Sequence, residues 1–371
     1  MGVPRKIVDL TRLKKKRVQT IRTVMAKSGV DAVILTNVDN IRYLTDVRCL
    51  LHVDGQAAVM VRDRDPEVIA PFVEGAPLGY AEVMPPQSIP REVVSKRWAT
   101  IFRRFLGDLS SGTVGVDSLS LCLHQAAEEE LPNLKFKSVC DDLMRARAIK
   151  HDEEIELLEE AASITDLGAE TAYQTVKEGK TEHRIVAEIV STMAEAGIEA
   201  LPWYPNLRSG ERSLQTIFPS DRKVRKGDSV VFDIGCVGRG GYWGDMSRTV
   251  FVDEPRDELE EAYAALFEAY METVKAIRPG MMASEIHVSI KSKLREAGYP
   301  YMTAPTGHGL GVGMDYPWIT DEAAEKDMRL ETNMVLSVEP VTYTKTGSVK
   351  VEDAILVTDT GSEILNKARY Y

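Results

Sequence analysis

The sequence predicts a two-domain α+β protein, with a smaller α/β domain over residues 1–147 and a larger α+β domain over residues 148–371. Three observations predict this. At 371 residues the chain exceeds what one hydrophobic core usually serves. Short apolar runs alternate with helical patterns through the first third, as in an α/β layer. A long amphipathic helix then opens a second part that is rich in hairpin signals.

Residues 18–28 have helical periodicity, and VDAVILTNVDNIRYLT (30–45) reads as strand, turn and short strand. GQAAVMVRD (55–63), PEVIAPF (66–72) and TVGVDS (113–118) read as further strands, with a helix over 96–111. No glycine-rich phosphate loop falls in this domain, so no nucleotide is expected there. The domain boundary lies near residue 148, just before the helix in ARAIKHDEEIELLEEAASITDLGAETAYQTVKEG. Ile155, Leu158, Ala162 and Ile164 mark its inner stripe, and Gly179 lies near its end. Helices follow over 181–197, 256–278 and 284–297, the last with Gly298 as its cap. Strands are expected around Asp233 and Asp245, near 334–343 and near 349–358.

The composition, 44% hydrophobic and 28% charged, is that of a soluble globular chain. A net charge of −11 argues against a general nucleic-acid binder. The basic start (Arg5, Lys6, Arg12, Lys14, Lys15, Lys16 and Arg17) reads as a solvated first helix. No apolar run reaches the ~18–20 residues of a membrane span, no signal-peptide core is present, and Lys6 does not fit a myristoylation site. Cytoplasmic residence is expected, with a small substrate and neither nucleic acid nor membrane as partner. Cys49, Cys122, Cys140 and Cys236 are scattered and read as free thiols.

The chemistry concentrates in VVFDIGCVGRGGYWGDMSRTVFV (230–252), where each apolar arm carries one aspartate, Asp233 or Asp245. The VGRGG turn folds the arms into an antiparallel hairpin, and a turn centred on Arg239 sets the carboxylates nearly opposite. Bare, they would repel. A divalent cation removes the conflict, because carboxylate oxygens are hard ligands; capping of turns is the competing use. A second hairpin, turning near 345–347, carries Glu339 and Glu352. Between the two lies PTGHGLGVG, whose glycines let the backbone close around His308, a candidate nitrogen ligand.

In order and rough spacing, Asp233, Asp245, His308, Glu339 and Glu352 resemble the metal ligands of the creatinase, prolidase and aminopeptidase P family, the "pita-bread" enzymes. DRKVRKGDSVVFDIG, GDMSRTVFV, GHGLG and SVEP resemble the contexts of those ligands, and RAIKHDEEIELLEEA resembles the start of the catalytic domain. The resemblance implies a creatinase-type N-terminal domain that takes part in dimerisation and closes over the neighbouring site of a homodimer. It also implies two divalent ions bridged by Asp245 and Glu352, with Asp233 on one ion and His308 and Glu339 on the other. Mn²⁺ heads the candidates, with Co²⁺, Fe²⁺ and Zn²⁺ behind it. The implied reaction is hydrolysis of a peptide or amide C–N bond, Xaa-Pro dipeptidase-like, by a metal-bridging hydroxide.

Two departures qualify the implied substrate. RSGERSLQTIFPSDRK lacks the histidine that the peptidases place before the first ligand strand; Gln215, Thr216 or Ile217 falls near that place. Seven residues after His308, where the peptidases carry a second histidine, stands Asp315, followed by Tyr316. Asp315 is therefore a candidate catalytic base or a grip for a cationic group, or else it ends a turn before Pro317; His308 is a candidate catalytic residue as well as a ligand. Arg212 is a candidate clamp for a substrate carboxylate, or a surface ion pair. Trp203, Tyr204, Tyr316 and Trp318 are candidate pocket walls. With Asp315 as base, a metal-dependent lyase of a small carboxylate such as dimethylsulfoniopropionate is the alternative enzyme. A non-catalytic pita-bread binding module is the third reading.

Overall fold

Asp9 opens the first helix, accepting from the backbone N–H of Arg12 at 2.9 Å, and Gly29 closes it in the left-handed conformation at φ 67°. The structure, a computed structural model, describes residues 3, 5–49, 56–69, 91–301, 305–321 and 327–371. The Met-Gly start, Gly55 and residues 70–72 of the expected strands lie outside the described residues. The chain divides into two units, Asp9–Arg147 and Ala148–Tyr371, with Met1–Val8 belonging to the second.

In the first unit the order is α1 (Leu10–Ser28), β1 (Ala32–Leu35), α2 (Val38–Thr45), β2 (Ala57–Val61), β3 (Glu67–Ile69), α3 (Arg91–Leu106), β4 (Gly112–Val116), α4 (Leu121–Glu130), β5 (Leu134–Ser138) and α5 (Cys140–Ala148). The strands form one mixed sheet, β3-β2-β1-β4-β5, parallel only across β1-β4-β5. VDNIRYLT is a helix and not the expected short strand, because the Asn37 side chain caps it by accepting from the N–H groups of Asp39 and Asn40. The basic first helix is not solvated throughout: Arg17 is fully buried and paired with Asp46.

The second unit continues with α6 (Asp152–Thr175), α7 (Glu182–Glu195), β6 (Asn206–Ser209), β7 (Ser229–Val237), β8 (Trp243–Phe251), α8 (Asp257–Ala276) and α9 (Ala283–Glu296). Then follow β9 (Gly307–Gly311), β10 (Gly313–Ile319), β11 (Val335–Val338), β12 (Val341–Tyr343), β13 (Ser348–Lys350), β14 (Asp353–Val357) and β15 (Ser362–Ile364). The α6 helix starts on a capping box, with Glu154 Oε2 accepting from His151 N–H at 2.9 Å, and three acidic residues in its first turn favour the positive end of the helix dipole.

Two antiparallel sheets organise this unit, β6-β7-β8 and β10-β9-β11-β14-β15. Each buries one face under helices. Val230, Phe232, Ile234 and Cys236 of β7 join a core with Ile164, Ile185, Ile189 and Met193 of α6 and α7. Leu336, Val338, Ile355 and Val357 of β11 and β14 join a core with Leu266, Tyr270, Ile286 and Ile290 of α8 and α9. Strand alternation then turns the intervening residues of both sheets to the other face.

Candidate metal centre

That other face collects the acidic residues. In the first hairpin Asp233 pairs with Ser247 and Gly235 with Asp245, so the two aspartates are diagonal neighbours on one face. The expected directly opposed pairing is two residues off. The turn centres on Gly240, since Gly240 and Gly241 both take positive φ, at 76° and 84°. On the far side of β8, Ser247 forms an antiparallel bridge with Glu352, which joins the two sheets through their backbones. The β12–β13 pairing, Val341 with Lys350 and Tyr343 with Ser348, extends to set Glu339 against Glu352. In β9, His308 pairs with Ser337, whose hydroxyl donates to Glu352 Oε1 at 2.6 Å.

All five expected ligands thus meet, in two overlapping groups. Ligand atoms of Asp245, His308 and Glu352 lie within 4.8 Å of one another, as do those of Asp233, Glu339 and Glu352. His308 Nε2 stands 3.5 Å from Asp245 Oδ2 and 4.0 Å from Glu339 Oε1. Its Nδ1 lies 2.9 Å from the carbonyl oxygen of Gly309, which only accepts, so Nδ1 carries the proton and Nε2 presents a lone pair to the carboxylates. Asp245 Oδ1 is buried without a hydrogen-bond partner among the described residues. A lone pair aimed at carboxylates and an unsatisfied buried carboxylate oxygen are arrangements that a shared cation resolves. The donor set fits a divalent ion.

Electrostatics agree. Burial raises Asp245 well above the usual carboxylate range, and Glu352, Asp233 and Glu339 push it further the same way. Glu352 is pushed up to about 8, chiefly by burial, with Glu339 and Asp233 adding to it against the pull of Lys350.

Two cations that sequence reasoning missed face the same cluster. Lys350 Nζ lies 2.6 Å from Asp233 Oδ2, 2.8 Å from Glu339 Oε2 and 3.0 Å from Glu352 Oε2. Burial opposes its charge, yet the three carboxylates outweigh burial and hold the ammonium well above its ordinary value. Arg208, buried in β6, shares the face of Asp233, because Asn206 pairs with Asp233 and Arg208 with Val231. Burial lowers its guanidinium, while Asp233, Glu339 and Glu352 act in the opposite direction. Lys350 was legible in VKVED, two residues before Glu352 in an alternating strand; no residue pattern sets the β6 register that places Arg208 on this face.

The remaining expected residues divide. Trp203 lies against Gly235, where an added Cβ would come 2.5 Å from its ring, and packs edge-on to Trp243 at 5.6 Å. Trp243 shares the Asp245 face and went unnoticed in the sequence. Trp318 pairs with His308 across the strands and stands 5.9 Å from its ring, 39% exposed. Tyr316 instead packs on the α8/α9 core, and Tyr204 is exposed.

Asp315 and Arg212 are elsewhere engaged. Asp315 pairs with Gly309, before a bulge that precedes Trp318, so it takes the face opposite to His308. There its Oδ2 accepts from Lys150 Nζ at 3.0 Å, both side chains buried, and a Cβ on Gly311 would come 2.1 Å from that oxygen. Asp315 thus points away from His308, and the ammonium it meets in this structure is the chain's own Lys150. Arg212 Nη1 donates to the buried Glu182 Oε2 at 2.8 Å and to the carbonyl of Phe218 at 2.7 Å. It is an internal ion pair that ties down the loop after β6. Gln215, Thr216 and Ile217 lie on that same loop.

Residues 156–359 match metallopeptidase family M24, and residues 17–149 match the Creatinase/Prolidase N-terminal domain. A Xaa-Pro dipeptidase of Pyrococcus furiosus is 29% identical over 359 residues, 95% of this chain and 98% of its own. The solved prolidase from Pyrococcus furiosus superposes with a TM-score of 0.77 at 27% identity, covering 94% of this chain and 99% of its own. A Xaa-Pro dipeptidase from Bacillus anthracis does so with a TM-score of 0.79 at 26% identity, covering 96% and 99%.

Proposed function

The chain belongs to metallopeptidase family M24, and on that footing we propose that it is a divalent-metal-dependent hydrolase cutting a C–N bond in a small substrate, a Xaa-Pro dipeptide first and a non-peptide amide second. The observation that carries the reading is the His308 Nε2 lone pair set among Asp245, Glu339 and Glu352 on one sheet face. Asp245, His308 and Glu352, with Glu339 beside them, would hold the ion; hard oxygens with one imidazole favour Mn²⁺, ahead of Co²⁺, Fe²⁺ and Zn²⁺. When bound, such an ion supplies Lewis acidity toward a carbonyl and lowers the pKa of water.

The chain's own residues prepare that chemistry. Gly309 C=O fixes the His308 tautomer, and the Ser337 hydroxyl orients Glu352. Trp203 and Trp318 wall the approach to Asp245 and His308, and the Trp203 indole N–H, buried without an acceptor among the described residues, is left as a donor for substrate. The elimination reading loses its base with Asp315 turned to the other face. A binding module has no need of a fixed imidazole tautomer. The four free cysteines fit residence in a reducing compartment, and cytoplasmic residence and a homodimer belong to this reading. No described helix is long and apolar enough to cross a membrane.

The test is Mn²⁺-loaded protein incubated with Leu-Pro and Met-Pro and scored for free proline, with EDTA-treated protein alongside. Proline release that EDTA abolishes supports the reading. Bound Mn²⁺ without proline release rejects the dipeptide and moves the search to simple amides.

A further inference from the structure

The two acidic groups define two cation positions that share Glu352, and they differ in one respect. The position formed by Asp233, Glu339 and Glu352 already holds a cation of the chain itself. Lys350 Nζ is within 3.0 Å of an oxygen from each of the three. An ammonium has three donors and no acceptor; here it donates to Asp233 and Glu339 and stands 3.0 Å from Glu352 Oε2 as an ion pair. A divalent ion bound to those same oxygens would sit at ~2.0–2.6 Å from each, overlapping the space of Nζ. The other position, Asp245 with His308 and Glu352, has no such occupant: His308 offers a lone pair there, and Asp245 Oδ1 has no hydrogen-bond partner among the described residues.

Charge balance points the same way. Even with all four carboxylates ionised, Lys350 and Arg208 on the same face leave two negative charges, which one divalent ion neutralises. A second ion would leave the buried cluster with excess positive charge and set two like charges almost in contact.

We propose that this chain holds one divalent cation, on Asp245, His308 and Glu352 with Glu339 beside them, and that the Lys350 ammonium takes the second cation position in place of the second ion implied by the resemblance. This rests on the metal-centre reading above. It makes Lys350 a built-in counter-charge that holds Asp233, Glu339 and Glu352 together.

The experiment titrates full-length, EDTA-stripped protein with MnCl₂, counting bound Mn²⁺ by elemental analysis and recording its electron paramagnetic resonance spectrum. Wild type is expected to bind one Mn²⁺ per chain with the spectrum of an isolated ion, a second binding at least roughly 100-fold more weakly. Lys350→Met, which keeps the volume and removes the charge, is expected to bind two, with a spin-coupled spectrum. Lys350→Arg is expected to stay at one. Two tightly bound, coupled ions in wild type overturn this proposal and leave the metal-centre reading standing; one ion in both wild type and Lys350→Met overturns the part assigned to Lys350. No bound ion in wild type overturns the metal centre and this proposal with it.

Discussion

Ser247 and Glu352 exchange backbone hydrogen bonds: Ser247 N–H donates to the Glu352 carbonyl at 3.3 Å, and Glu352 N–H donates to the Ser247 carbonyl at 3.0 Å. This bridge makes one surface of two sheets. It brings Asp233 and Asp245, from one hairpin, beside Glu352 from another. Ser247 is fully buried and its hydroxyl donates to the Phe232 carbonyl, so the position has no room to grow. Ser247→Leu should cost about 1–3 kcal/mol of stability by overpacking and weaken Mn²⁺ binding. Calorimetric titration beside thermal melts checks both.

Asp245→Asn separates binding from folding. The carboxylate is raised by burial and by three neighbouring carboxylates, so removing its charge relieves repulsion in the metal-free protein. Its melting temperature in EDTA should rise above that of wild type. Mn²⁺ affinity should fall by more than the roughly 10–100-fold that even supporting residues of a metal site command. An unchanged affinity removes Asp245 from the site.

The pH dependence of the metal-free protein follows from Glu352, whose carboxyl moves from 4.5 to about 8 on folding. A folded value above the unfolded one gives stability that is full below about 4.5 and is lost as pH rises through about 8. EDTA-treated protein should therefore melt at a lower temperature at pH 8 than at pH 5.5. Glu352→Gln should shrink that difference, and a profile identical to wild type rejects the assignment.

The Lys150–Asp315 pair gives a structural prediction. Asp315→Ala leaves a buried ammonium without this partner, a change that costs about 3–5 kcal/mol, on the order of 10 °C in melting temperature. Asp315→Leu combined with Lys150→Met should recover most of the loss. Bound Mn²⁺ per folded chain should stay at the wild-type level throughout; a stable Asp315→Ala protein with no turnover returns Asp315 to catalysis.

Trp318, half-exposed beside His308, should act on substrate and not on metal. Trp318→Ala is expected to raise KM roughly tenfold with kcat little changed and Mn²⁺ affinity intact, the signature of lost uniform binding. Steady-state kinetics on whichever substrate is turned over decides it.

Much of this was legible because carboxylates in apolar, alternating strands are conspicuous. Asp233, Asp245, Glu339 and Glu352 stand out against Val, Ile and Phe, and period-2 alternation assigns them a face. Register was legible only to within two residues, since glycines at 240 and 241 move the turn centre by one without changing its composition. The side taken by Asp315 depends on a bulge that a strand pattern does not announce. The α2 helix was misread because one Asn37 cap outweighs the β-branched character of its neighbours. Arg208 was out of reach, since its aim depends on how β6, distant from β13 in the chain, pairs with β7.

Residues 9–147 are, in chain terms, a guest: the segment before them and the segment after them both belong to the host body. Lys6 ties that first segment to α6, its N–H reaching Glu160 at 3.4 Å, while Arg239 donates to the Lys6 carbonyl at 2.9 Å. Cutting the chain at 148 would therefore remove a segment that is hydrogen-bonded to the half carrying the candidate metal centre. Splicing Val8 to Ala148 through a short linker is the excision that respects the architecture.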